Sequence, residues 1–269
     1  MDLGLGGRAC IVTGGSRGIG LEVARRLVAE GAKVLLVARG EERLRSAARE
    51  CAAAAPGGAE AIAWLAHDIT DPDAGERAVS DCRARFGSVD VLVNNASASI
   101  TRALPDLTDD DWREDWEINV MAPMHLMRAA VPGMAERGWG RVVNVCSSSG
   151  KRPGQRNVSY SVAKAAELSL SRAYADVYAA RGVLINAVAP GPVAGELWLG
   201  PGGLADQTAQ VRGSTREQVL DGMAAALPIR RLAEGSEIAA VIVFLCSERA
   251  SNVVGAAWSV DGGAVPVII

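Results

Sequence analysis

Apolar residues along this chain fall into short unbroken runs separated by longer stretches of helical period. Ala9–Val12, Lys33–Ala38, Ala61–Ala66, Val89–Val93, Arg141–Cys146, Val183–Ala189 and Ala256–Val260 are built mainly from Val, Leu, Ile and Ala. They lack the strict alternation of a half-exposed strand, which suits a parallel sheet covered on both faces. Residues 18–30, 41–55, 73–86, 109–135, 160–181 and 236–247 read as helices. In the first of these Ile19, Val23, Leu27 and Val28 share one side, and Gly31 stops it. Thr108, with Asp111 three residues on, predicts the N-cap of the long fourth helix, which Pro123 and Pro132 are expected to bend or break. Residues 191–215 are rich in Gly, Pro and small polar residues and read as a long functional or mobile loop.

Strand and helix alternate about seven times, which predicts an α/β fold. The expected architecture is a Rossmann-like, doubly wound parallel sheet of about seven strands with helices on both faces, three layers in all. No linker, repeat or low-complexity run interrupts residues 1–269, so the whole chain reads as a single domain. In such folds ligands sit beyond the carboxyl ends of the strands, and the motifs described below fall there.

Composition narrows the partners. The net charge is −3, with Arg and Lys spread among acids, which gives no reason to expect nucleic acid or an anionic membrane. No apolar run approaches the roughly 18 residues of a membrane span, and the start M-D-L-G-L-G-G-R is too short and polar for a signal peptide. The five cysteines form no C-x-x-C pair and read as reduced structural thiols of a cytoplasmic protein. His67 and His125 stand far apart, so no metal site is expected. The apolar tail Val265–Ile269 is expected to pack into the core or a subunit interface.

Seven clusters carry candidate chemistry. Thr13-Gly14-Gly15-Ser16-Arg17-Gly18-Ile19-Gly20 joins the first strand to its helix, and its glycines permit a tight turn against a phosphate at the helix N-terminus. The second strand ends Val37-Ala38-Arg39 with no carboxylate until Glu41. Arg39, assisted by Arg17, therefore suits a ribose 2′-phosphate, and NADP(H) is expected over NAD(H). Asp68, followed by Ile69, ends the third strand and either accepts from an adenine amino group or caps the next helix. Asn94-Asn95-Ala96 ends the fourth strand, where it can tie the turn together and face the adenosine ribose. Asn119 lies inside the long helix, where Asn is a mediocre helix former and can hold a local distortion and an ordered water.

Ser147, Ser148 and Ser149 end the fifth strand, and a hydroxyl there can hydrogen-bond a substrate carbonyl. Tyr160 and Lys164 follow Ser147 by thirteen and seventeen residues, and this spacing favours Ser147 among the three. The four-residue step from Tyr160 to Lys164 puts both on one helical face. A free phenol titrates at about 10, and a neighbouring ammonium favours its phenolate, so the pair suits proton transfer near neutral pH. Cys146 is expected to point away from Ser147 and to be no nucleophile.

Together these residues resemble the short-chain dehydrogenase/reductase family, from Leu5 to about Val265. The family's order is T-G-x-x-x-G-x-G, a strand-three Asp, N-N-A, a helix Asn, a Ser, Y-x-x-x-K, P-G and a C-terminal D-G-G, here Asp261-Gly262-Gly263. Among members the chain is most similar to bacterial reductases of the 3-oxoacyl-carrier-protein type. The resemblance implies that Tyr160 is the general acid for carbonyl reduction, that Lys164 binds the nicotinamide ribose and lowers the phenol pKa, and that Ser147 polarises the carbonyl. It implies that Asn119 holds a water linking Lys164 to solvent, and that Pro190, Gly191 and Val193 line the nicotinamide site. Two positions depart from the family: Ser97 stands where N-N-A-G has Gly, and Ala194-Gly195 lacks the usual Thr after P-G.

The resemblance also implies a substrate lid at about 194–226, with Leu197, Trp198, Leu199 and Leu204 offering an apolar wall. The expected substrate is a ketone or aldehyde with an apolar body, in which a 3-oxoacyl group is included. Lys151, Arg152 and Arg156 either meet a carrier protein or coenzyme A or form a solvated loop. An NAD-dependent alcohol dehydrogenase and a non-catalytic nucleotide-binding scaffold are the alternative readings. A homotetramer or homodimer is expected, with Trp112 and Trp116 as candidate contacts.

Overall fold

The computed structural model describes residues 2–266, and residues 267–269 of the apolar tail lie outside them. Seven strands form one sheet: β1 (Ala9–Thr13), β2 (Lys33–Ala38), β3 (Ile62–Ala66), β4 (Val91–Asn94), β5 (Gly140–Val145), β6 (Val183–Pro190) and β7 (Ala257–Val260). Their order is β3-β2-β1-β4-β5-β6-β7, and every neighbouring pair is parallel. Among the described residues ten α-helices lie between the strands: α1 (Gly18–Ala29), α2 (Glu41–Ala54), α3 (Ala74–Phe86), α4 (Asp109–Trp116), α5 (Ala122–Glu136), α6 (Val158–Tyr178), α7 (Glu196–Leu199), α8 (Leu204–Arg212), α9 (Arg216–Ala226) and α10 (Gly235–Cys246).

The unbroken apolar runs have a simple cause. Cys10 and Val12 of β1 face a cluster with Leu27, Leu36 and Ile242, whereas Ala9 and Ile11 face one with Leu35, Leu92, Leu126 and Met134. Both faces of the central strands are thus dry, and the period of two survives there only as a choice between two cores. Each fully buried Leu or Ile side chain contributes about 1.5–3 kcal/mol.

The long helix expected at 109–135 is interrupted. It starts as the sequence predicts, with Thr108 Oγ1 accepting from Asp111 N and the Asp111 carboxylate accepting from Thr108 N. Residues Glu117–Met121 then widen into a π-helical turn before α5 begins. Pro123 sits in the first turn of α5, and Pro132 is accommodated inside it without ending the helix.

A second difference lies after β6. The stretch 191–215, expected as loop, contains α7 and α8, and α9 follows behind a capping box of Thr215 and Gln218. Small residues there hide short helices whose apolar face is narrow.

Candidate active site

Strands β1 and β4 are neighbours, and the connections leaving them run to opposite sides of the sheet. At that switch point the carboxyl ends open into a cleft of about 460 Å³. The Gly-rich turn forms its floor. Gly14 has φ of +64°, and a Cβ there would stand 2.8 Å from Asn95 Nδ2 and 2.9 Å from Ala96 Cα. Thr13 Oγ1 accepts from Asn95 N at 3.0 Å and from Ala96 N at 3.1 Å, and Asn95 Nδ2 donates to Thr13 O at 2.9 Å. The N-N-A turn is therefore bolted to the Gly-rich turn, and the N-terminus of α1, at Gly18 and Ile19, faces the cleft with free N–H groups.

One end of the cleft is basic. Arg17, Arg39 and Arg43 line it. Glu196, the first residue of α7, reaches back and pairs with Arg17 at 2.8 Å and Arg43 at 3.2 Å. Hydrogen bonding from Arg17, reinforced by Arg43, holds the Glu196 carboxyl below its ordinary value. Arg39 stands 3.8 Å from Asp68. Partial burial opposes the charge of Asp68, but hydrogen bonds from Thr70 and the field of Arg39 outweigh it and lower its pKa.

The other end carries hydroxyls. Ser147 and Tyr160 line the cleft beside Pro190, Gly191 and Val193. Ser147 Oγ accepts from Ser149 N at 3.1 Å, which leaves its own proton free for a ligand. Gly191 is required by close approach, since a Cβ there would stand 2.8 Å from the Asp261 backbone. Asp261 in turn accepts from Gly263 N and Val265 N, so the D-G-G segment braces the P-G turn. Behind Tyr160, Lys164 is buried, with Nζ 5.7 Å from the centroid of the Tyr160 ring. Asn119 is also buried; its Nδ2 donates to Asp115 O at 2.9 Å and Ala98 O at 3.1 Å within the π-helical turn.

The model of short chain dehydrogenases matches residues 8–199, most of the chain. The chain belongs to the short chain dehydrogenase family. It is 33% identical over 257 residues to the 3-oxoacyl-acyl-carrier-protein reductase FabG of Salmonella typhimurium, covering 96% of this chain and 97% of that protein. It is 38% identical over 259 residues to cis-4-hydroxycyclohexanecarboxylate dehydrogenase of Sinomonas cyclohexanicum, covering 95% and 96%. Among solved structures, L-sorbose reductase of Gluconobacter frateurii, complexed with NADPH and L-sorbose, superposes with a TM-score of 0.92 at 34% identity over 100% of both chains. This short chain dehydrogenase is accordingly an oxidoreductase of the class that interconverts carbonyl and alcohol groups.

The cleft of this short chain dehydrogenase gathers Gly14, Ser16, Arg17, Gly18, Ile19, Arg39, Asp68, Ile69, Ala96, Ser147, Tyr160, Pro190, Gly191 and Val193. Gly20, Asn119 and Lys164 lie one layer behind it. Asn94 lies just behind the cleft lining: its Nδ2 donates to Asn144 Oδ1 at 2.8 Å, so its side chain faces the neighbouring strand in the buried sheet. The parallel register that pairs Asn94 with Asn144 dictates this, and Asn95 takes the place in the cleft. Lys151 Nζ donates to Ala257 O at 2.6 Å and Ser259 Oγ at 2.9 Å, so this end of the loop is tied to β7. Of the apolar wall expected at the lid, Trp198 lines the cleft; the side chain of Leu197 lies outside the described residues.

Three residues escaped the sequence reading. Arg43 could have been found from its four-residue step after Arg39, and Glu167 from its three-residue step after Lys164. Nothing local marks Glu196. The five thiols are all buried, and burial pushes Cys51, Cys82 and Cys246 up to about 12 and Cys146 well above its ordinary value. Among the described residues His67, Asp71 and Asp73 form the one metal-like grouping, with two exposed carboxylates and no enclosing shell. No helix among them is long and apolar enough to cross a membrane.

Proposed function

We propose that this short chain dehydrogenase is an NADPH-dependent reductase of a ketone or aldehyde with an apolar body. The observation that carries the reading is one cleft with Ser147 and Tyr160 at one end and three arginines at the other. The Gly14 cradle and the exposed start of α1 fit a pyrophosphate. Arg17, Arg39 and Arg43 would grip a 2′-phosphate, and the absence of a carboxylate directly after β2 argues against a ribose 2′-hydroxyl. Asp68 and Ile69 would bound the adenine, Ala96 the ribose, and Pro190, Gly191 and Val193 the nicotinamide. Bound NADPH supplies the hydride.

The chain supplies position and a proton. Ser147 donates to the carbonyl oxygen and orients it, Tyr160 gives that oxygen its proton, and the buried Lys164 ammonium behind Tyr160 stabilises the phenolate that remains. Asn119 holds the widened turn beside them. Trp198 contributes apolar surface for the substrate body, with residues 194–226 as lid. A 3-oxoacyl thioester and a cyclic or sugar ketone are both within this class, as the varied relatives suggest. A single catalytic domain over 1–269, a cytoplasmic setting and a homotetramer complete the reading.

NADPH and NADH oxidation against ketones, 3-oxoacyl thioesters and quinones tests it. Turnover with NADPH should fall by about 10²–10⁴-fold in Tyr160→Phe. Arg39→Ala should weaken NADPH by about tenfold or more while sparing NADH. Equal affinity for both nucleotides in the native protein would remove the NADPH assignment, and no turnover despite nucleotide binding would favour the scaffold reading.

A further inference from the structure

One buried carboxylate has no part in the chemistry above. Glu167 lies three residues after Lys164 on α6, and both side chains are 1% exposed. Lys164 Nζ donates to Glu167 Oε2 at 2.7 Å and to Val145 O at 3.1 Å, which commits two of its three N–H groups. A lone ammonium sealed from water gives up its proton instead of staying charged. A carboxylate sealed beside it favours the charged amine, while burial outweighs the pull of Lys164 and raises the Glu167 carboxyl above its ordinary value. Burial by itself lowers the amine, but Glu167, Tyr160 and Cys146 outweigh it and hold Lys164 above its ordinary value.

Few other groups face the pair. Tyr160 is on the same helix, and the Cys146 thiol, just after β5, lies beside Glu167. Lys151, the next charge, is held against β7. On α4, Asp115 accepts from Ser159 Oγ at 2.6 Å, next to Tyr160 in sequence. The π-helical turn brings the neutral Asn119.

We infer that Glu167 is a positioning residue for proton transfer: it seats the Lys164 ammonium behind Tyr160, keeps it charged, and so sets the proton count of the Tyr160–Lys164 pair. The inference rests on the reductase reading for its use, but the ion pair can be tested without turnover. The sign follows from charge alone. Removing a nearby negative charge makes loss of a proton from either group easier. Carbonyl reduction needs both the phenol proton and the ammonium, so its alkaline limb should move to lower pH.

The test is the pH profile of kcat/KM for reduction in the native protein, Glu167→Gln and Glu167→Asp. In Gln the alkaline limb should shift down by about one unit, and Asp, which keeps the charge, should restore much of it. A limb that stays in place in Gln overturns the inference. Tyrosinate absorbance supplies the second reading, since the chain has three tyrosines, 160, 174 and 178. Subtracting a Tyr160→Phe counterpart isolates Tyr160, whose midpoint should move by about one unit in Glu167→Gln. Superimposable titrations would overturn the inference even if no carbonyl were reduced, and a native protein without turnover counts against the reductase reading alone. Should Gln not fold, Glu167→Met fills a similar volume; loss of fold in both marks the pair as purely structural and overturns the role.

Discussion

Ser97 Oγ donates to Asn119 Oδ1 at 2.6 Å, joining the loop after β4 to the π-helical turn between α4 and α5. Ser97 is the residue that departs from N-N-A-G, and its hydroxyl turns inward to the Asn119 carboxamide, whose Nδ2 is already engaged with Ala98 O and Asp115 O. Ser97→Gly should cost about 1 kcal/mol and lower the thermal midpoint by about 2–4 °C, with a modest fall in kcat. An unchanged melting curve would show that the bond contributes nothing.

Glu196 competes for the basic end of the cleft. It is bound to Arg17 and Arg43, the groups proposed to meet a 2′-phosphate. Exposed ion pairs are weak, about 0.2–1 kcal/mol, so Glu196→Gln should tighten NADPH by about two- to fivefold and leave NADH unchanged. Calorimetric titration with both nucleotides decides it, and equal tightening of both would refute the competition.

The Gly-rich turn tolerates no side chain at Gly20. A Cβ there would stand 2.4 Å from Gly14 O and 2.5 Å from Asn95 Nδ2. Gly20→Ala should displace the turn, lose about 1–3 kcal/mol of stability and abolish nucleotide binding. Retention of native affinity would mean that the turn is not the phosphate cradle.

Asp115 should give stability a pH dependence. Burial raises its carboxyl above the ordinary 3.8, against the hydrogen bond from Ser159. Above 3.8 the unfolded chain has released this proton while the folded chain still holds it, so stability declines as pH rises towards the folded value. The penalty is absent below 3.8 and complete above the folded value. Asp115→Asn lacks it, so the melting difference between variant and native protein should grow in the variant's favour on going from acid to neutral pH. Parallel curves would contradict this.

What the sequence determined by itself was whatever depends on a few adjacent residues. Val and Leu runs have to be strands buried on both faces, because no side of them can face water. Thr108 with Asp111 closes a helix start from within one turn, and the helical pitch alone brings Tyr160 and Lys164 to one face.

What only the tertiary structure decided joins residues distant in the chain. Glu196 meets Arg43 across 153 positions because α7 folds back over the carboxyl end of the sheet. Asn94 meets Asn144 because the register of β4 against β5 places them side by side, which sets its side chain just behind the cleft lining. The π-helical turn at Asn119 depends on partners drawn from another loop, Ser97 and Ala98. The Lys164–Glu167 pair lies between: its spacing is plain in the sequence, but its strength comes from the packing that seals both groups from water, and burial is a property of the whole fold.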